Sequence, residues 1–275
     1  MYSPITQQAW NAVLNWLGLL FQTFSHIIGS FAHYPLLSFS SHSSFDSLPT
    51  LDHDSALQIT SHADHRPLQK LTVVLDLDET LVCAYETPGL PETLRTQATQ
   101  AGLNWFELEC VCSDKLVEGK PIINYVTVFE RPGLKEFLRQ LSEFADLVLF
   151  TAGLEGYARP LVDRIDTENR FSLRLYRPST VSTKHREHVK DLRCISKDLC
   201  RIVLVDNNPF SFLLQPDNGI PCTSFSAWKP HDTQLLDVIL PLLKNLSDQK
   251  DVRHVLNEKY HMPEWFKQQG TPVPS

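Results

Sequence analysis

Lys70-Leu-Thr-Val-Val-Leu-Asp76-Leu-Asp78-Glu-Thr80-Leu-Val82 is the stretch from which the fold of this chain is read. Leu71 to Leu75 is an unbroken apolar, β-branched run, the composition of a strand buried on both faces of a parallel sheet. The run stops abruptly at two carboxylates spaced i, i+2, followed by Thr80. In open α/β sheets chemistry gathers at the carboxyl ends of the strands, so Asp76 and Asp78 fall where a site is expected.

Two later runs have the same form. Asp146-Leu-Val-Leu-Phe-Thr151 ends in Thr151-Ala152-Gly153, and Arg201-Ile-Val-Leu-Val-Asp206-Asn207 ends in polar residues ahead of a Pro209 turn. Arg131-Pro132-Gly133 opens a helix with Leu134, Phe137, Leu138 and Leu141 at helical spacing, Pro132 being tolerated in a first turn. A helix over 155–166 and a strand from Phe171 to Tyr176 follow. Between Tyr85 and Gly102, three turn-formers (Pro88, Gly89, Pro91) precede a polar helical piece. Trp105 to Cys112 and Ile122 to Phe129 read as two strands joined at Glu118-Gly119-Lys120. Beyond the turn at Asp217-Asn218-Gly219, Thr233 to Leu246 is an amphipathic helix. Asp251 to Tyr260 is a last short one before a tail containing Trp265. Strands alternating with helices predict an α/β fold with a doubly wound parallel sheet, small β insertions and no large cap domain.

A chain of 275 residues holds one sizeable core with a tail or small unit to spare. Its formal net charge of -7 argues against nucleic acid as a direct partner, since phosphate binding needs a basic footprint. Six cysteines (83, 110, 112, 194, 200, 222) form no Cys-x-x-Cys pair and read as reduced, mostly buried thiols of a cytosolic or nuclear protein. No Asp, Glu, Lys or Arg precedes Asp46, and Ala9 to Ala32 is apolar and long enough to cross a bilayer as a helix. A helix docked on the protein's own core is the alternative reading. The expected division is an apolar segment over 1–37, a Ser-, His- and Asp-rich linker over 38–66, a catalytic domain over 67–247, and a helix and tail over 248–275.

Taken together, the strand ends supply Asp76 and Asp78, then Thr151, then Lys190 in Val189-Lys-Asp-Leu192, then Asp206 with Asn207. A phosphatase acting through an aspartyl-phosphate needs a carboxylate nucleophile, for which Asp76 fits, and a second acid to protonate the leaving oxygen, for which Asp78 fits. A hydroxyl such as Thr151 and an ammonium such as Lys190 suit the spread negative charge of a transferring phosphoryl group. A hard divalent ion, Mg²⁺, would take oxygen ligands from Asp76, the Asp78 main-chain carbonyl and Asn207, with Asp206 beside them.

Asp-x-Asp-x-Thr after such a strand resembles the nucleophile motif of the haloacid-dehalogenase superfamily of phosphohydrolases. Arg131-Pro-Gly133, Phe150-Thr-Ala152, Val189-Lys-Asp-Leu192 and Asp206-Asn207 sharpen the resemblance. From about Leu71 to Leu246 the chain resembles the small phosphatases of the RNA polymerase II carboxyl-terminal domain, a family that includes the Dullard-type nuclear-envelope enzymes. The resemblance implies a HAD-like, Rossmannoid, Mg²⁺-dependent phosphoserine/phosphothreonine protein phosphatase acting on a phosphorylated protein. It implies Asp76 as nucleophile, Asp78 as acid/base, Thr151 and Lys190 as phosphate ligands, and Asp76, Asp78, Asp206 and Asn207 at the metal. Leu154 and Tyr157 match positions of the family's apolar substrate groove. Departures are Asn208, where the family commonly has Ser, and a longer segment after Leu90. Together with residues 9–32, the resemblance implies attachment to the endoplasmic reticulum or nuclear envelope. The competing readings are a non-catalytic relative resembling the mitochondrial inner-membrane translocase subunit of the same fold, and a small-molecule phosphatase.

Overall fold

A computed structural model describes residues 68–271 apart from the pair 118–119. The apolar segment 9–32 and the linker therefore lie outside the described residues, as do the side chains of 111–122. β1 (Leu71–Leu75) is the middle strand of a five-stranded parallel sheet. β5 (Ala145–Phe150) and β7 (Ile202–Asp206) flank it, with Val73 opposite Leu147 on one side and Val203 on the other. β6 (Phe171–Leu175) and β8 (Gly219–Pro221) close the two edges. The chain leaves β1 for β5 and β6 on one side, then returns across it to β7 and β8 on the other. The ends of β1, β5 and β7 therefore meet where the winding reverses, the place where open α/β sheets bind ligands.

Both faces of β1 are buried, as its unbroken apolar run predicts. Val73 and Leu75 pack in one core with α2 (Leu134–Phe144), α4 (Leu240–Ser247) and α5 (Val252–Tyr260). Val74 points the other way, into a second core with Phe150, Phe212, Met262 and Phe266. β2 (Val82–Glu86), β4 (Lys120–Glu130) and β3 (Trp105–Val117) form a separate antiparallel sheet in that order. Cys83 and Phe129 of this sheet pack against Leu94 and Ala98 of α1 (Glu92–Gln100). Among the described residues this sheet and α1 are the insertion between β1 and α2, and no closed barrel or large cap occurs.

Three elements differ from the sequence expectation. β2 is a strand because it pairs with β4, a partner far along the chain. The helix expected over 233–246 divides into a wide π turn (Leu235–Ile239), in which the Leu240 N–H reaches the Leu235 carbonyl, and α4. Pro241 lacks an N–H and its ring would crowd the Asp237 carbonyl in a regular helix; the wider turn relieves both. The expected tail instead forms α6 (Met262–Gln268), whose Phe266 is fully buried. Among the described cysteines, Cys83, Cys110 and Cys222 are buried and Cys194 is exposed, all as free thiols. No described helix is long and apolar enough to cross a membrane.

Candidate active site

The loop after β1 folds tightly: the Leu81 and Val82 N–H groups both reach the Leu77 carbonyl, and Glu79 takes a left-handed conformation (φ 59°). This turn buries Thr80 completely and aims its hydroxyl back at the strand end, where it donates to Asp76 Oδ2 at 2.9 Å. The same hydroxyl lies 3.2 Å from Asn207 Oδ1 and accepts the Asn207 N–H. Arg131 holds the turn from behind. It donates to the Thr80 carbonyl at 3.0 Å while its other nitrogens grip Asp232 through two bonds of 2.8 Å and reach Thr223 and Gln234. A guanidinium fork suits this multiple grip; an ammonium would not replace it.

Lys190 is the electrostatic centre. Its ammonium lies 2.5 Å from Asp76 Oδ1 and 2.7 Å from Asp206 Oδ2, and its backbone N–H is fixed to the Ser211 carbonyl at 2.8 Å. Burial pulls the Lys190 pKa down, but the Asp206 and Asp76 charges more than offset this and hold it above the ordinary value. Asp206, whose other oxygen accepts the Asn208 N–H, is raised by burial and by repulsion from Asp76. Asp78 accepts a 2.5 Å bond from the Tyr157 hydroxyl. Burial pushes Asp78 up to about 6; the Tyr157 bond opposes that shift and the Asp76 charge adds to it. Burial together with the Asp78 charge lifts the Tyr157 phenol far above its usual range.

Thr151, directly after β5, accepts the Gly153 N–H on its hydroxyl at 2.9 Å, which orients the side chain at the strand end. Asp76, Asp78, Thr151, Leu154, Tyr157, Asn207 and Arg177 line one open pocket of about 460 Å³. Lys190 and Asp206 are buried and adjoin it through Asp76. All the residues singled out in the sequence thus converge. The sequence reading missed Arg131 as a support of the turn, the Tyr157–Asp78 bond, and Arg177, which donates to the Ala152 carbonyl at 2.6 Å. It also missed Glu79 and Ser224, which accept the two Asn207 amide hydrogens. These are contacts between distant segments, and no local pattern announces them.

The donor set suits a hard divalent cation. Both hydrogens of the Asn207 side-chain amide are used on Glu79 and Ser224, so its Oδ1 faces the Thr80 hydroxyl that also bonds Asp76. Two carboxylates, Asp76 and Asp206, share the buried Lys190 ammonium with Asp78 close by, and burial first, then repulsion from Asp76, raises Asp78 and Asp206. Among the described residues no three His, Cys, Asp or Glu side chains form a metal cage by themselves, and the carboxylate and amide oxygens gathered here are of the kind Mg²⁺ takes.

Comparison with known proteins finds chains similar to this one over the described domain. The family model for NLI interacting factor-like phosphatases matches residues 71–253. A "Probable C-terminal domain small phosphatase" of Dictyostelium discoideum is 38% identical over 188 residues, covering 68% of this chain and 54% of its own length. Human "Carboxy-terminal domain RNA polymerase II polypeptide A small phosphatase 1" is 36% identical over 190 residues, covering 69% and 64% respectively. A Drosophila melanogaster "CTD nuclear envelope phosphatase 1 homolog" is 32% identical over 203 residues, covering 71% and 75%. The chain thus spans less than two thirds of the first two relatives. The beryllium-fluoride-bound fission yeast RNA polymerase II CTD phosphatase Fcp1 superposes with a TM-score of 0.45 at 17% identity, covering 73% of this chain and 66% of that one.

Proposed function

The chain belongs to the NLI interacting factor-like phosphatase family, and from that premise we propose that it is a Mg²⁺-dependent protein serine/threonine phosphatase working through an aspartyl-phosphate. The carrying observation is the buried Asp76–Lys190–Asp206 bridge beside Asp78 at the mouth of one pocket. In the first step an Asp76 oxygen attacks phosphorus. The bond from phosphorus to the serine or threonine oxygen breaks, and that oxygen keeps the electron pair and takes the proton of Asp78. In the second step Asp78, now a carboxylate, takes a proton from water. The water oxygen bonds to phosphorus, the bond to Asp76 breaks, and inorganic phosphate leaves. Thr151 and Lys190 hold the phosphoryl oxygens through both steps. An acid with a pKa near 6 suits a group that must give a proton and then take one back near neutral pH.

Asp76, the Asp78 main-chain carbonyl and Asn207 would hold Mg²⁺, with Asp206 beside them keeping Lys190 in place. When bound, the ion would screen repulsion between the carboxylates and the phosphate. The pocket is open, and the antiparallel insertion does not amount to a cap, which suits a phosphorylated loop or tail of a protein better than a small metabolite. Leu154 and Tyr157 form the apolar wall against which such a segment lies. A non-catalytic role has less support, because it would require neither both carboxylates nor the Lys190 bridge. In the full chain, residues 9–32 serve as a membrane anchor at the endoplasmic reticulum or nuclear envelope, with the catalytic domain facing the cytosol or nucleoplasm. That reading rests on their charge-free, apolar composition and on the nuclear envelope relative.

The test is hydrolysis of a phosphoserine peptide and of a sugar phosphate by the purified protein. We expect Mg²⁺-dependent turnover of the peptide at a kcat/KM well above that of the sugar phosphate, and its loss in EDTA. A preference for the sugar phosphate overturns the protein-substrate reading, and full activity after chelation overturns the metal role.

A further inference from the structure

Beyond that reading, and resting on it, we propose that Tyr157 is a positioning residue for the acid: its hydroxyl pins Asp78 Oδ1 so that the transferable proton sits on Oδ2. The hydroxyl lies 2.5 Å from Oδ1, and the two residues are 79 positions apart, so only the tertiary fold brings them together. Tyr157 is held on its own side. It lies in the first turn of α3 (Glu155–Ile165), its N–H bonds the Leu154 carbonyl at 3.1 Å, and its ring is partly buried against the main core. Gly153 leaves the ring room, because a Cβ there would stand 3.3 Å from ring carbon Cδ1.

The consequence is chemical. A carboxylic acid has one proton and two oxygens, and an oxygen that accepts the phenol hydrogen is the poorer place for that proton. With Oδ1 so occupied, the acid hydrogen belongs on Oδ2. There it meets the alcohol oxygen as the phosphorus–oxygen bond breaks and the electron pair moves onto it. In Tyr157→Phe the ring and the pocket wall remain, but the carboxyl turns freely and presents its proton in the productive direction only part of the time. Leaving groups that depart easily as anions should not notice; poor ones should.

The experiment measures kcat/KM of wild type and Tyr157→Phe on a series of substituted phenyl phosphates, from p-nitrophenyl to phenyl, in Mg²⁺. This parameter covers steps up to departure of the leaving group and is blind to later hydrolysis of the phosphoenzyme. Whatever the variant loses on p-nitrophenyl phosphate, it should lose on the order of tenfold or more beyond that on phenyl phosphate, so its dependence on leaving-group pKa steepens. The slope compares substrates within one preparation, so a partly unfolded variant cannot mimic the effect. Leu154→Ala, which trims the same wall without touching Asp78, should leave the slope unchanged. Parallel slopes for wild type and Tyr157→Phe overturn the assignment and leave Tyr157 as a groove contact only. A wild type inactive on every member and on a phosphoserine peptide sinks the phosphatase reading itself.

Discussion

Asp78 is held in a place that does not suit its charge. Its pKa of about 6 lies above the ordinary 3.8, so the folded protein binds that proton more tightly than the unfolded chain does. The sign follows: between about pH 4 and 6 the Asp78 contribution to stability falls as pH rises, and above that range the full penalty remains. A shift of this size disfavours the ionised form by about 3 kcal/mol. Asp78→Asn keeps an oxygen for the Tyr157 hydroxyl and removes the charge. In EDTA at pH 7 it should resist urea better than wild type, and its stability should change less between pH 5 and 7. A variant less stable than wild type at pH 7 would show that the charge is not strained. At this scale the sequence was informative about identity and silent about environment. The Asp76 and Asp78 spacing after a buried strand pointed to the site, whereas the Tyr157 and Arg131 contacts join segments far apart in the chain.

The elements divide in the same way. β1, β5 and β7 were legible because a strand buried on both faces must be apolar throughout, and each such run ended in polar residues. β2 was not, because its strand state comes from pairing with β4. α6 was not, because a short helix bounded by prolines leaves little periodicity, while its burial depends on the second face of the sheet. That face is covered in part by Phe266, which packs edge-on against Phe212 at 6.3 Å between ring centroids and is fully buried. Phe266→Ala should therefore cost about 3–5 kcal/mol by urea denaturation, as for any large side chain removed from a packed core. A loss below about 1 kcal/mol would mean that α6 is peripheral to the domain.

At the scale of the whole molecule, the charge-free amino-terminal segment and the acidic catalytic domain call for different surroundings. Ala9 to Ala32 would bring no ionised group into lipid, and its few Asn, Gln, Ser and His side chains cost far less there than a charge. The full chain should sediment with membranes on cell fractionation, and residues 66–275 should stay in the supernatant. A full chain found in the soluble fraction would leave that segment as a docked helix or a tail. The central claim is narrower and concerns one carboxylate. It is tested most directly by phosphate release from a phosphoserine peptide in Mg²⁺, wild type beside Asp76→Asn. The prediction is turnover by wild type and a loss on the order of 10³-fold or more in the variant, with an unchanged fold by circular dichroism. Comparable turnover by Asp76→Asn would contradict it.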